Sequence, residues 1–234
     1  MKGKLFLIPT LLGDTSPHKV LPSSVFEVIK RLNYYIVEDI RTARRFLKKT
    51  GISVKIDDIE FFELNKYTDD KDLAGFLAAA NAGFDTGLLS EAGAPCIADP
   101  GSKITSLAHG SGIKVVPLAG PSSIILALMA SGLNGQAFTF HGYLPVKRDK
   151  RSQTLKKLEY DSSTKGQSQI FMETPYRNMQ MFDALIETCR PSTKLCIACD
   201  ITLESEFILT CSIAEWKKNK PDINKRPAIF IIQS

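Results

Sequence analysis

The sequence predicts an α/β protein of two domains, the first built on a parallel sheet and the second on a mixed one. Two observations lead to this. Up to about residue 117, short apolar runs alternate strictly with amphipathic stretches, the pattern of a parallel sheet covered on both faces. Beyond it come five β-like runs with helical stretches between only some of them, and strands that follow one another without a crossover must pair antiparallel. The turn signal AGPSS (119–123) marks the change, so the domains are placed at 1–117 and 118–234. A chain of 234 residues, 44% of them hydrophobic, is long enough to build both cores.

Each element has its own justification. GKLFLIP reads as a first strand; two lysines before it give a passing likeness to a signal peptide, but Pro9 interrupts the run, Asp14 ends it and no small-residue cleavage site follows. PSSVFEVIKRL starts a helix near Pro22, YYIVED is a strand, and TARRFLKKTG is a helix closed by Gly51. IEFFEL is a strand, DKDLAGFLAAANAG a helix and DTGLL a strand, followed after a loop by the helix SKITSLAHGSG and the strand IKVVPL. The second half opens with the apolar helix SIILALMASGL. Its strands are AFTFHGY, SQIFMET, KLCIACD, EFILTCS and AIFIIQ, with KLCIACD and EFILTCS expected to be an antiparallel pair. No apolar run approaches the roughly 20 residues of a membrane span.

Composition narrows the chemistry. Five cysteines in apolar surroundings indicate buried thiols in a reducing, cytoplasmic compartment. Cys196 and Cys199 have CxxC spacing, but the pair lies inside a β-like run with no histidine near it in sequence, so structural thiols are preferred over zinc or redox chemistry and no metal is expected. The net charge is +5, and basic residues gather in RTARRFLKK, VKRDKRSQTLKK and KKNKPDINKR. Each cluster alone reads as a solvated surface; three together point to a polyanionic partner. There is no GxGxxG after the first strand, no GxxxxGK[ST], no HExxH and no GxSxG, which disfavours dinucleotide enzymes, P-loop NTPases, zincins and α/β-hydrolases. His18, His109 and His141 are scattered and read as structural.

The stretch LLSEAGAPCIADPGS (88–102) stands at the bend between a strand and a helix, where open α/β sheets bind ligands. Its glycines and alanines lower the wall, so that main-chain groups can reach a ligand directly; an ordinary βα loop is the alternative.

Five segments in fixed order, YYIVEDIRTARRFLKKTGI, GLLSEAGAPCIADPGSKI, VVPLAGPSSIILALMASGL, FHGYLPVKRDKR and IFMETPYR, resemble the tetrapyrrole-methylase superfamily of S-adenosylmethionine-dependent methyltransferases. Within it they are similar to the ribosomal RNA small subunit methyltransferase I branch. The resemblance implies a homodimer of two-domain chains binding S-adenosylmethionine in the interdomain cleft, without metal, and methylating the ribose 2′-hydroxyl of a cytidine in small-subunit rRNA. It matches the cofactor-binding first-strand exit to Pro9 and Thr10 and the loop around the cofactor's methionine part to Ser90, Glu91, Gly93, Ala94 and Ile97, continues through Gly120, Pro121, Ser122 and Ser123, and puts the adenosine side near Met172, Glu173, Pro227 and Ala228. Glu38, Asp39 and Arg41 are its catalytic candidates, with Glu91 beside them; an ion-pair network fixing the loop is the competing role for Glu38, Asp39 and Arg41.

This chain departs from the branch in three places on the presumed substrate side, and it also ends soon after its last strand. It has IPTLLGDTSPHKVLP after the first strand, Ile40 inside the EDTR-like motif, and Asn65–Lys66 where the branch has Asn-Glu. Two other readings stand beside the rRNA one: a methylase of uroporphyrinogen or a corrin precursor, disfavoured because Gly93-Ala94-Pro95 replaces the usual GDP motif, and a cofactor-binding module without turnover acting on ribosomes.

Overall fold

The computed structural model describes residues 1–234 apart from residues 53, 66 and 70. The chain divides into two compact units, Met1–Ser122 and Ser123–Ser234.

In the first unit β1 (Lys4–Ile8) leads through α1 (Pro17–Val20) and α2 (Ser23–Ile29) to β2 (Tyr34–Val37), and α3 (Ile40–Lys49) leads to β3 (Glu60–Glu63). Next come α4 (Ala78–Asn81), β4 (Thr86–Leu89), α5 (Gly101–Gly110) and β5 (Lys114–Pro117). The sheet order is β3-β2-β4-β1-β5, parallel throughout, with Phe6 opposite Gly87 and Ile36 opposite Leu88. β1 and β4 are central, and their side chains alternate between two cores. Phe6, Ile8, Tyr35 and Leu89 pack with α2 and α3; Leu5, Ile36 and Leu88 pack with Leu77, Ile104 and Ala108. The side chains of Ile8 and Tyr35 fill the space over Gly87, where an added Cβ would come within 2.8 Å of Ile8 and 2.9 Å of Tyr35.

The helix expected over DKDLAGFLAAANAG forms only in part. Residues Gly75–Leu77 make a 3₁₀ turn and α4 is a single turn. The bonds Gly75 N–H to Asp72 O, Phe76 to Leu73 and Leu77 to Ala74 are all tightened to i→i+3. Gly75 weakens the helix where it would have to begin, while Leu73 and Leu77 still reach the core.

The second unit runs α6 (Ser123–Ser131), β6 (Phe138–Tyr143), α7 (Arg148–Lys165), β7 (Ser168–Met172), α8 (Asn178–Thr188), β8 (Lys194–Cys199), β9 (Phe207–Ser212), α9 (Ile213–Trp216) and β10 (Ala228–Gln233). The order is β6-β7-β10-β8-β9; β6 and β7 are parallel and every other pairing is antiparallel, so the sheet is mixed as expected. KLCIACD and EFILTCS pair antiparallel, Ile197 opposite Leu209. One face of this sheet (Phe171, Leu195, Ile197, Phe230, Ile232) packs against Leu155, Leu158, Met181, Phe182 and Leu185 of α7 and α8. Among the described residues, no helix is long and apolar enough to cross a membrane.

Candidate active site

At the carboxyl ends of β1, β2 and β4, the first unit opens into a cavity of about 440 Å³. β1 delivers Thr10, β2 delivers Glu38, β4 delivers Ser90 and Glu91, and the first turns of α3 supply Thr42 and Arg45. Neighbouring parallel strands necessarily end side by side, which is why residues far apart in sequence share one wall.

Asp39 is the N-cap of α3: its Oδ1 accepts from Thr42 N–H at 2.7 Å, which holds its carboxyl below the usual carboxylate range. Thr42 Oγ1 donates to Glu91 Oε1 at 2.7 Å and so joins the helix start to the loop after β4. Glu38 lies between these groups, half-buried. Burial raises its carboxyl above the ordinary value, the charges of Asp99 and Glu91 raise it further, and a hydrogen bond from the Glu91 N–H opposes them in part. Asp39 and Arg41 are exposed at the mouth, and Arg41 lines an adjoining hollow with Arg45.

The loop after β4 is folded back on itself. Gly93 O accepts from Thr10 N–H at 2.9 Å and from Ser90 Oγ at 2.8 Å. Gly93 has φ +74°, and a Cβ there would meet Leu12 at 3.0 Å and Pro121 O at 3.3 Å. Its smallness therefore serves contacts within the protein, while Glu91, Ala92, Ile97 and Ala98 are exposed, Ile97 by 49%, and Ala94 is partly so. Cys96 and Ala98 have φ of 68° and 62°, a left-handed conformation costing non-glycine residues on the order of 1–3 kcal/mol each. Asp99 holds this segment: both its oxygens accept from Cys96 N–H at 2.9 Å, and Oδ1 also accepts from Gly101 N–H at 2.8 Å. Glycine at 120 is required by a close approach, since a Cβ would fall 2.2 Å from Pro9 Cγ.

Met172 ends β7 and Glu173 follows it, near the start of β10 at Ala228; Ile229 lies opposite Met172. The Glu173 carboxylate is fully buried. Its Oε1 accepts from Arg177 at 2.6 Å and from Thr174 N–H at 2.7 Å, while Oε2 has no partner among the described residues. Thr10 Oγ1 is likewise buried without a hydrogen-bond partner among them. Ser122 and Ser123 are partly exposed and Pro227 is exposed. Lys66 lies outside the described residues, and Asn65 lines the hollow shared by Glu38 and Arg41.

The other sequence candidates fall in place as structural groups. Cys196 and Cys199 are three apart on β8, so their side chains point to opposite faces and do not form a chelating pair. Burial raises both thiols, Cys199 to about 11, so neither is a thiolate at neutral pH. His18 stacks on Phe26 with ring centroids 4.4 Å apart, and His141 Nε2 lies 2.6 Å from Gln169 Oε1. Among the described residues, no three His, Cys, Asp or Glu side chains are grouped to hold a metal. Asp99 and Thr42 lie inside two of the quoted segments without being singled out as site residues, although an N-cap aspartate followed by threonine three residues on is a legible pattern at the start of α3.

Comparison with known proteins places this geometry in a context. A family profile described as Tetrapyrrole (Corrin/Porphyrin) Methylases matches residues 25–217. A protein named ribosomal RNA small subunit methyltransferase I from Buchnera aphidicola subsp. Schizaphis graminum is 30% identical over 233 residues, covering 98% of this chain and 78% of that relative. Its namesake from Escherichia coli O157:H7 is 28% identical over 235 residues, covering 99% and 78%. Among solved structures, uroporphyrin-III C-methyltransferase from Thermus thermophilus in complex with S-adenosylhomocysteine matches with a TM-score of 0.60 at 16% identity, over 99% of this chain and 98% of that one. The methyltransferase CobJ matches with a TM-score of 0.66 at 14% identity, over 99% and 94%.

Proposed function

Because the chain belongs to the tetrapyrrole methylase family and, within it, to the ribosomal RNA small subunit methyltransferase I branch, we propose that it transfers a methyl group from S-adenosylmethionine to small-subunit rRNA, at the ribose 2′-hydroxyl of a cytidine. The observation that carries this reading is the meeting, in one cavity, of a half-buried carboxylate with a raised proton affinity and Arg45, the member of the basic face of α3 that lines it. A ribose hydroxyl is a weak nucleophile that must give up a proton, and its flanking phosphates need cations. Both requirements are met within the first unit.

S-adenosylmethionine supplies an electrophilic methyl carbon on a sulfonium. The residues present suit such a ligand: Thr10 Oγ1 and Glu173 Oε2 are buried polar atoms lacking partners among the described residues. In this reading Pro9, Thr10, Ser90, Glu91, Gly93, Ala94 and Ile97 hold the methionine part, with Ser122 and Ser123 next to them, and Met172, Glu173, Pro227 and Ala228 take the adenosine. Glu38 accepts the hydroxyl proton. Its desolvated setting suits this, because a carboxylate of raised pKa is a stronger base than an exposed one. Asp39 does not take the proton; as the N-cap of α3 it fixes Thr42 and, through Thr42, Glu91. Arg41 holds a phosphate at the mouth. The enzyme in this reading is a cytoplasmic homodimer.

The test is transfer of labelled methyl groups from S-adenosylmethionine to small ribosomal subunits from a strain lacking the enzyme, with naked RNA alongside. Label is expected in alkali-resistant dinucleotides, which report 2′-O-methylation. Label on a porphyrinoid alone, or cofactor binding with no transfer, would overturn the rRNA reading.

A further inference from the structure

We propose that the face of α3 bearing Arg41, Arg45 and Lys48, together with the ring of Tyr67, is a track for unpaired RNA, with phosphates on the helix and a base stacked on the tyrosine. This rests on the RNA reading above and specifies how the strand is held. The five cations of α3 are not equivalent. Arg44 is neutralised by Asp57 and Lys49 by Asp14. Arg41, Arg45 and Lys48 have no ion-pair partner among the described residues, and their i, i+4, i+7 spacing puts them on one face. That face is concave: a groove of about 580 Å³ lies along it, and a hollow of about 730 Å³ continues past Arg41 to Tyr67. Arg45 borders the groove, the hollow and the active-site cavity alike, so a chain lying on the cations leads to Glu38.

Tyr67 is 82% exposed, yet the turn that carries it is fastened. Asn65 Oδ1 accepts from Tyr67 N–H at 2.8 Å, Asn65 N–H donates to Thr68 Oγ1 at 2.9 Å, Thr68 Oγ1 donates to Glu63 O at 3.1 Å, and Asn65 Nδ2 donates to Glu63 Oε1 at 2.9 Å. A tyrosine 82% exposed on a fastened turn beside a cationic groove offers a stacking platform, which the paired bases inside a helix do not reach. Asp39, Glu63 and Glu91 also line these hollows and disfavour phosphate beside them, so in this arrangement the backbone takes the Arg41–Lys48 cations and the bases turn toward Tyr67.

The experiment measures anisotropy of a short labelled oligoribonucleotide, single-stranded or in duplex, and of a labelled polyglutamate, across a salt series. The wild type is expected to bind the single strand more tightly than the duplex and to bind polyglutamate weakly. Arg41→Ala, Arg45→Ala and Lys48→Ala should each reduce the log–log salt slope by about 0.7. Tyr67→Ala should weaken single-strand binding about 5- to 150-fold at unchanged slope, and Tyr67→Trp should restore it. Equal affinity for the duplex, equal binding of polyglutamate, slopes unmoved by all three cation changes, or no effect at Tyr67 would each overturn the track. Circular dichroism confirms that the variants fold. Methyl transfer by the wild type, measured separately, keeps the two proposals distinct: transfer that persists in variants with unaltered RNA binding removes the track alone, and failed transfer removes the enzyme reading while the anisotropy still decides the track.

Discussion

Glu38 keeps its proton to higher pH than an exposed glutamate, through burial first and the negative charges of Asp99 and Glu91 second. A base works only when ionised, so kcat/KM should climb with pH along an acidic limb lying above the usual glutamate range. Glu38→Gln should remove that limb and lower kcat by about 10²- to 10⁴-fold, with S-adenosylhomocysteine affinity by calorimetry unchanged. Asp99 offers a second check. Asp99→Asn removes a charge that raises Glu38, so the limb should shift to lower pH. The amide also offers one acceptor oxygen where two now serve Cys96 and Gly101, and the loss should be about 1–3 kcal/mol in urea unfolding. A limb that stays in place would show that Asp99 acts through the loop and not through its charge. Gly93 is a different case. Small residues in the 88–102 loop are readable as room for a ligand, but at Gly93 that room is filled by Leu12 and Pro121, so valine there should strain the loop as well as weaken binding, which a lowered Tm of the ligand-free protein would reveal.

α7 shows how an element hides from its sequence. Its buried positions include Arg151, Glu159 and Ser162 beside Leu155 and Leu158, so polar residues occupy the inward stripe and erase the apolar periodicity that marks a helix. The segment reads as a basic surface, and part of it is. Glu159 is buried because it accepts from Arg190 N–H and Thr193 Oγ1, partners 31 and 34 residues away that no local pattern discloses. By contrast β8 and β9 are legible down to their pairing, because adjacent apolar strands without a crossover leave one arrangement. The strand ends that form the candidate active site are legible for a similar reason, as a parallel sheet gathers them at one edge, whereas the Thr42–Glu91 bond and the Asp99 staple depend on side-chain geometry that spacing does not encode. The interrupted helix before β4 yields a further prediction. A methyl group added at Gly75 would meet nothing within 4 Å, and the backbone there has no positive φ. Gly75→Ala should therefore stabilise the protein by about 0.4–1 kcal/mol in urea unfolding, the opposite sign from Gly120→Ala, whose methyl collides with Pro9.

The two units have separate hydrophobic cores, and each is large enough to unfold as a cooperative body. The proposed ligand residues are drawn from both, which makes the molecule's response to ligand informative. S-adenosylhomocysteine at a hundredfold excess over Kd should add about 2.7 kcal/mol to whichever unit it binds. The chain's single tryptophan, Trp216, distinguishes them. It is 1% exposed in the core of the second unit, with its indole N–H on Leu195 O at 2.9 Å and its ring edge-on to Phe182. Its emission is thus a built-in label for one half of the chain, while far-ultraviolet dichroism sums over both. If Met172, Glu173, Pro227 and Ala228 hold the adenosine, ligand will move the fluorescence midpoint; if only the first unit binds it, the dichroism curve will shift and the tryptophan will stay silent.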